Sequence, residues 1–278
     1  MRYFAHSLYY VQSIFVPFFI SPSTNTPLLF LLCLDRLCES HAIQHASTDS
    51  VQSKSLRTIP YVLPATFIGE NYFFTNILSH LIDFKDKDRW IGAVSGYVDS
   101  SHNVSRLESF FADTNTVNDT VDLIIFHNAG SIVYNNLTFL NQSCCHGVQD
   151  LLFDILKNIG ESQEDIARFQ STSPYMILME SGFMTRSKWI EGFTIWLSHA
   201  QIFLNTDPLA QQRVWKSCTT HDSSAFLIPD VNDAPFISLH PLLGKLLTTY
   251  FFHTRNLKAT TIAIGNSSSP MPISQKEQ

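Results

Sequence analysis

Tyr61-Val-Leu-Pro-Ala-Thr-Phe-Ile68 is a short apolar run that ends at Gly69-Glu70-Asn71 and passes directly into the amphipathic segment Tyr72–Leu81. An apolar run of this length predicts a buried strand, and an amphipathic segment with helical spacing predicts a helix packed on it. In α/β proteins, the turn from the carboxyl end of a strand into a helix is where ligands bind. The segment therefore indicates both a fold class and a place to look for function.

The same alternation of apolar runs and helical patterns continues along the chain. The predicted strands are Tyr61–Ile68, Trp90–Ser95, Val121–Phe126, Tyr175–Met179 and Ala225–Ile228. The predicted helices are Phe73–Phe84, Val104–Ala112, His146–Ile159, Ser187–Leu204 and Leu239–Phe252. Strands that alternate with helices form parallel sheets covered on both faces. We therefore expect an α/β fold with three layers, α/β/α, around a mainly parallel five-stranded sheet.

Composition excludes several classes of function. The net charge is −6 and only 15% of the 278 residues are charged, without a basic run, so a nucleic-acid partner is not expected. The cysteines form no pair of CxxC motifs, which argues against a zinc site of that type. Neither GxGxxG nor GxxxxGK[ST] follows a predicted strand, so no nucleotide is expected, and we predict no cofactor.

The chain divides into four parts by composition. Residues 1–38 form a hydrophobic leader with apolar runs in Met1–Ile20 and Pro27–Leu34, both shorter than the ~18–20 residues of a spanning helix. Residues 39–58 are polar and predict a stem or linker. Residues 59–265 form the α/β domain, and residues 266–278 predict a disordered tail.

Sequons favour the secretory route for this chain. The acceptor pattern Asn-X-Ser/Thr begins at Asn103, Asn118, Asn136, Asn141 and Asn266. With a hydrophobic leader in front of them, these sequons predict a glycoprotein of the Golgi lumen or the extracellular space. The leader is expected to act either as a signal peptide or as a weak membrane anchor.

Polar residues follow the predicted strands in a particular order. Gly96 follows the second strand, and His127 and Asn128 follow the third. Asp233 and His240 come after the fifth strand. Because the carboxyl ends of parallel strands meet at one edge of a sheet, these residues and Asn71 are expected to share one cleft.

This order resembles the sequence blocks of the SGNH (GDSL-type) hydrolases over roughly residues 61–252. In that family a Gly-Asp-Ser after the first strand supplies the nucleophile, and a Gly and an Asn form the oxyanion hole. A His near the C-terminus acts as base. The resemblance assigns the oxyanion hole to Gly96 and Asn128 and the base to His240. Leu239-His-Pro241 before an apolar helix resembles the Golgi branch of the family that adds or removes sugar acetyl groups. The resemblance implies an ester of a glycan or a lipid as the substrate.

Two departures from the family pattern concern catalysis itself. Asn71 occupies the place of the nucleophilic serine, and an amide has no ionisable oxygen that can attack a carbonyl. Ile237 stands three residues before His240, where the family has an Asp, so Asp233 or Asp230 would have to orient the imidazole. The sequence therefore predicts an esterase-like protein whose catalysis is lost or weakened.

Other interpretations stay open at this point. The chain is alternatively a non-catalytic binding or scaffold protein with an α/β fold, or an α/β transferase unrelated to esterases. Gly96 also fits an ordinary turn at a strand end, and His240 also fits a capping or packing residue at a helix start. Cys144-Cys145-His146 suggests thiol chemistry but equally fits half of a disulfide.

Overall fold

The computed structural model describes residues 26–33, 56–62, 71–95, 109–112, 121–128, 147–172, 182–214 and 240–264. The strands in these ranges are β1 Leu28–Cys33, β2 Arg57–Val62, β3 Trp90–Ser95, β4 Leu123–Asn128, β5 Phe183–Arg186 and β6 Ala259–Ile264. The helices are α1, a π-helical turn over Phe73–Ile77 continued by Leu78–Leu81, then α2 Val148–Asn158, α3 Gln163–Ser171, α4 Ser187–Thr206, α5 Pro208–Val214 and α6 His240–Thr254.

The six strands form one mixed sheet in the order β2-β1-β3-β5-β4-β6. Parallel pairing joins β1 to β2, β1 to β3 and β4 to β6. The four-residue β5 is antiparallel to both of its neighbours, β3 and β4, so it is the strand that makes the sheet mixed. Pro60 lies in β2, which pairs with β1 alone among the described strands. A proline has no N–H for a second neighbour, which suits this strand to the edge.

The two faces of the sheet bury separate groups of side chains. Along β1, Leu28, Phe30 and Leu32 pack on the face that carries α1, α2, α4 and α6. Leu29 and Leu31 point to the opposite face, where Phe111 of the helical turn at residues 109–112 also packs. The alternation follows from the two-residue period of a strand, and burial on both faces explains why β1 is apolar at every position.

Aromatic rings fill the centre of the helix-covered face. Phe183 of β5 lies 5.4 Å from Phe74 of α1, 5.9 Å from Phe193 of α4 and 5.0 Å from Phe252 of α6, measured between ring centroids. Each such pair contributes about 0.5–1.5 kcal/mol beyond the burial of its area. The short antiparallel strand therefore supplies the ring on which three helices converge.

Helix α6 is buried around its whole circumference from Leu242 to Phe252. A helix surrounded in this way must satisfy its polar groups internally, and Thr248 and Thr249 do so by donating to the carbonyls of Gly244 and Lys245. At the far end of α6, Tyr250 donates to Glu161 at 2.9 Å. Burial, followed by this hydrogen bond, raises the pKa of the Tyr250 phenol above its ordinary value.

The expected α/β class with a mostly parallel sheet is confirmed. The predicted strand Trp90–Ser95 coincides with β3, and the predicted helices Ser187–Leu204 and Leu239–Phe252 match α4 and α6 closely. The predicted helix His146–Ile159 corresponds to α2. In each of these helices apolar residues recur at helical spacing over at least ten residues, which is the strongest signal that a sequence carries.

The expected number of five strands and their positions need correction. The sheet has six strands among the described residues, and β1, β5 and β6 were not predicted as strands. The strand expected at Tyr61–Ile68 begins earlier, at Arg57. The strands expected at Tyr175–Met179 and Ala225–Ile228 lie outside the described residues, as do the five sequons and the tail at residues 266–278.

The division of the N-terminal part also needs correction. Leu28–Cys33, expected in the leader of residues 1–38, forms β1 between β2 and β3. Arg57 and Thr58, expected in the stem of residues 39–58, belong to β2. A continuous apolar run has no period, so its sequence does not distinguish a fully buried strand from a hydrophobic leader.

Candidate functional site

The strand order places the topological switch point of the sheet between β1 and β3. From β1 the chain proceeds outward to β2, whereas β3 and the strands beyond it lie on the other side of β1. In doubly wound sheets ligands bind beyond the carboxyl ends of the two strands at such a point. Those ends are Cys33 in β1 and Ser95 in β3, and Gly96 is the next residue along the chain. Asn128 is the last residue of β4, which is parallel to β3.

The first turn of α6 lies toward the same edge. Four residues separate the end of α6 from β6, and the Lys258 carbonyl accepts a hydrogen bond from Asp122 N–H at 2.8 Å just before β4 begins. The C-terminal end of α6 is therefore fixed at the amino edge of the sheet. The helix has 15 residues and a length of about 22 Å, roughly the length of the strands it covers. His240, its first residue, consequently lies toward the carboxyl edge.

Asn71 packs directly against α6. A Cβ atom built on Gly244 would lie 1.8 Å from the Asn71 amide nitrogen and 2.4 Å from its amide oxygen. Gly244 is one turn beyond His240, so the two segments predicted to carry the nucleophile and the base are in contact through their helices. Asn71 also anchors the start of α1, because the Thr75 hydroxyl donates to its carbonyl at 2.9 Å.

The Asn71 side chain is not presented to solvent. The residue is only 5% exposed, and the backbone of Gly244 covers its amide group. A nucleophile must be reachable by its substrate. The position at which the resemblance to esterases predicted a serine is therefore both chemically unsuited to attack and closed by α6.

The strand expected before Asn71 is β2, which is the second strand along the chain rather than the first. Among the described strands β2 pairs with β1 alone. β1 occupies the place next to β3. The carboxyl end of β1 at Cys33, rather than that of β2, thus lies at the switch point.

Two tyrosines lie near the start of α1. Tyr61 is the penultimate residue of β2, and its ring centroid lies 5.5 Å from that of Phe73. Tyr72 immediately follows Asn71. Burial, and next the negative charge of a nearby ionised Tyr72, raise the pKa of the Tyr61 phenol above its ordinary value. Both phenols are half-buried, each with an apolar ring and a polar tip.

The remaining predicted site residues fall into two groups. Gly69, Gly96, Asp230 and Asp233 lie outside the described residues. For Asn128 and His240 the backbone is placed: Asn128 pairs with Ile264 of β6, and His240 begins α6. The structure thus brings the segments of Asn71 and His240 together and sets Asn128 at the carboxyl end of its strand.

Sequence reasoning missed Gly244 and the two tyrosines. A glycine inside an apolar helix costs about 1 kcal/mol relative to alanine, so its presence at residue 244 is a signal of close packing. Lys245, the next residue, is only 3% exposed. The tyrosines carry no sequence signal, because nothing in the pattern indicates which face of the strand or helix they occupy.

Within the described ranges, no group of three or more His, Cys, Asp or Glu side chains is arranged to hold a metal ion. None of the helices in those ranges is both long enough and apolar enough to cross a membrane. No protein-family model, curated protein or solved structure matches the chain.

Proposed function

We propose that this chain is an SGNH-like protein that binds an ester-bearing glycan or lipid at the carboxyl edge of its sheet and does not hydrolyse it through Asn71. The observation that carries the proposal is the packing of Asn71 against Gly244, one turn beyond His240. This contact joins the segment of Asn71 to the helix of His240, and these are the first and last motifs on which the resemblance to esterases rests.

The arrangement of the parallel strands supports the SGNH-like fold. With the antiparallel β5 left out, the strands run β2-β1-β3-β4-β6. This is the flavodoxin-like order of doubly wound three-layer proteins, which bind ligands at the switch point. Gly96 directly follows β3, and Asn128 is the last residue of β4. Both positions belong to the carboxyl edge, where donors for a carbonyl oxygen would be needed.

The surroundings of Asn71 support binding without turnover. An oxyanion hole retains the capacity to bind carbonyl or anionic groups when the nucleophile is absent. Tyr61 and Tyr72 offer apolar ring surface with a hydroxyl at its end, a combination suited to a sugar ring or an acyl chain. The ligand class is thus an acylated glycan or lipid, with His240 near its ester group.

The cellular setting follows the same proposal. The sequons and the apolar segment before residue 26 are consistent with a glycoprotein of the Golgi lumen or extracellular space. The apolar segment would act either as a signal peptide or as a weak membrane anchor. Endoglycosidase treatment of the chain expressed in secretory cells should increase its electrophoretic mobility, and an unchanged mobility would contradict this setting.

Calorimetry with an O-acetylated oligosaccharide and its de-acetylated form tests the proposed ligand. The acetylated form should bind more tightly, and Tyr72→Ala should weaken its binding about tenfold, which corresponds to ~1.4 kcal/mol. Asn76→Ala, an exposed position further along α1, serves as the control and should bind normally. Equal binding of the two oligosaccharides would overturn the proposal.

A hydrolysis assay on the same oligosaccharide tests the second half of the proposal. We expect no release of acetate by the full chain, and none by the Asn71→Ser variant, because α6 covers residue 71. Acetate release that is abolished by His240→Ala would instead identify an active esterase.

A further inference from the structure

We draw no further inference here: the strongest candidate, the exposed apolar stripe that Ile195 and Ile202 form on α4, carries no proposal because nothing in the described part of the structure shows what covers it.

Discussion

Asn71 packs so closely on Gly244 that a side chain at residue 244 would clash with the Asn71 amide. The sequence analysis named Asn71, because the resemblance to esterases predicts a serine there, but it did not name Gly244. Their contact could not be predicted, because it joins helices that are far apart in the chain and depends on how α6 docks. Burial of Asn71, more than its chemistry alone, is what argues against a nucleophile at this position.

His253 should make stability depend on pH. Burial, and next the positive charge of Arg168, lower the pKa of this imidazole below its ordinary value of 6.5. The unfolded chain therefore takes up a proton near pH 6.5 that the folded chain resists. The contribution to stability is full above pH 6.5 and is lost as the pH falls through the lowered pKa.

Thermal melting between pH 7.5 and 5 measures this effect. The loss of stability on acidification should be smaller for His253→Gln than for the wild type. His80→Gln, at an exposed position of α1, is the control and should follow the wild type. Identical pH profiles for His253→Gln and the wild type would show that His253 does not contribute.

Among the elements, the C-terminal end of α6 depends on Glu161. This carboxylate, 12% exposed, accepts hydrogen bonds from Trp196 Nε1 at 2.5 Å and from Tyr250 at 2.9 Å, and pairs with Arg255 at 3.3 Å. It thereby ties the loop between α2 and α3 to both α4 and α6. The Arg255 guanidinium also lies 3.8 Å from the ring centroid of Phe251.

Glu161→Ala should lower the free energy of unfolding by about 3 kcal/mol, since it leaves two buried donors without their acceptor. Tyr250→Phe removes one hydrogen bond together with its donor and should cost only ~1 kcal/mol. Urea unfolding of both variants measures the difference. Equal effects would contradict the role of Glu161 as a shared acceptor.

Long helices were predictable, whereas short or fully buried strands were not. Apolar residues recur at helical spacing in α2, α4 and α6, and tertiary packing uses the same faces. β5 has only four residues, too few to show a two-residue period. It follows Gly182, which has a φ of +85° and lies so close to the Ala93 carbonyl that a Cβ atom at residue 182 would clash with it. β1 carries a signal that also fits a leader.

At the scale of the whole molecule, β1 lies between β2 and β3 and determines where the switch point of the sheet lies. Leu29 is 1% exposed in β1, so Leu29→Ala should lower the free energy of unfolding by about 2–5 kcal/mol. Leu209→Ala, the same substitution at an exposed position, should change it by less than ~0.5 kcal/mol. Denaturant titrations compare the two. An unaffected Leu29→Ala variant would place residues 28–33 outside the folded domain.

From the sequence, the location of the site could be predicted only to the level of one edge of the sheet. The order of polar residues after the strands indicates the carboxyl edge, because every parallel strand ends there. Which strand stands at the switch point depends on β1, whose sequence favoured a leader. For that reason the strand before Asn71 proves to be the second of the chain, while the proximity of Asn71 to the helix of His240 follows from the shared edge.

The contact between Asn71 and α6 carries the whole account, and a double-mutant cycle measures it most directly. In the wild-type background, Gly244→Ala forces a methyl group onto the Asn71 amide and should cost about 1–3 kcal/mol of unfolding free energy. In the Asn71→Ala background the clash is gone, so the same substitution should be neutral or stabilise by up to ~1 kcal/mol through helix propensity. A coupling energy of at least about 1 kcal/mol is the predicted result. Strictly additive effects would show that α1 and α6 do not meet at these residues, and the proposed site would lose its basis.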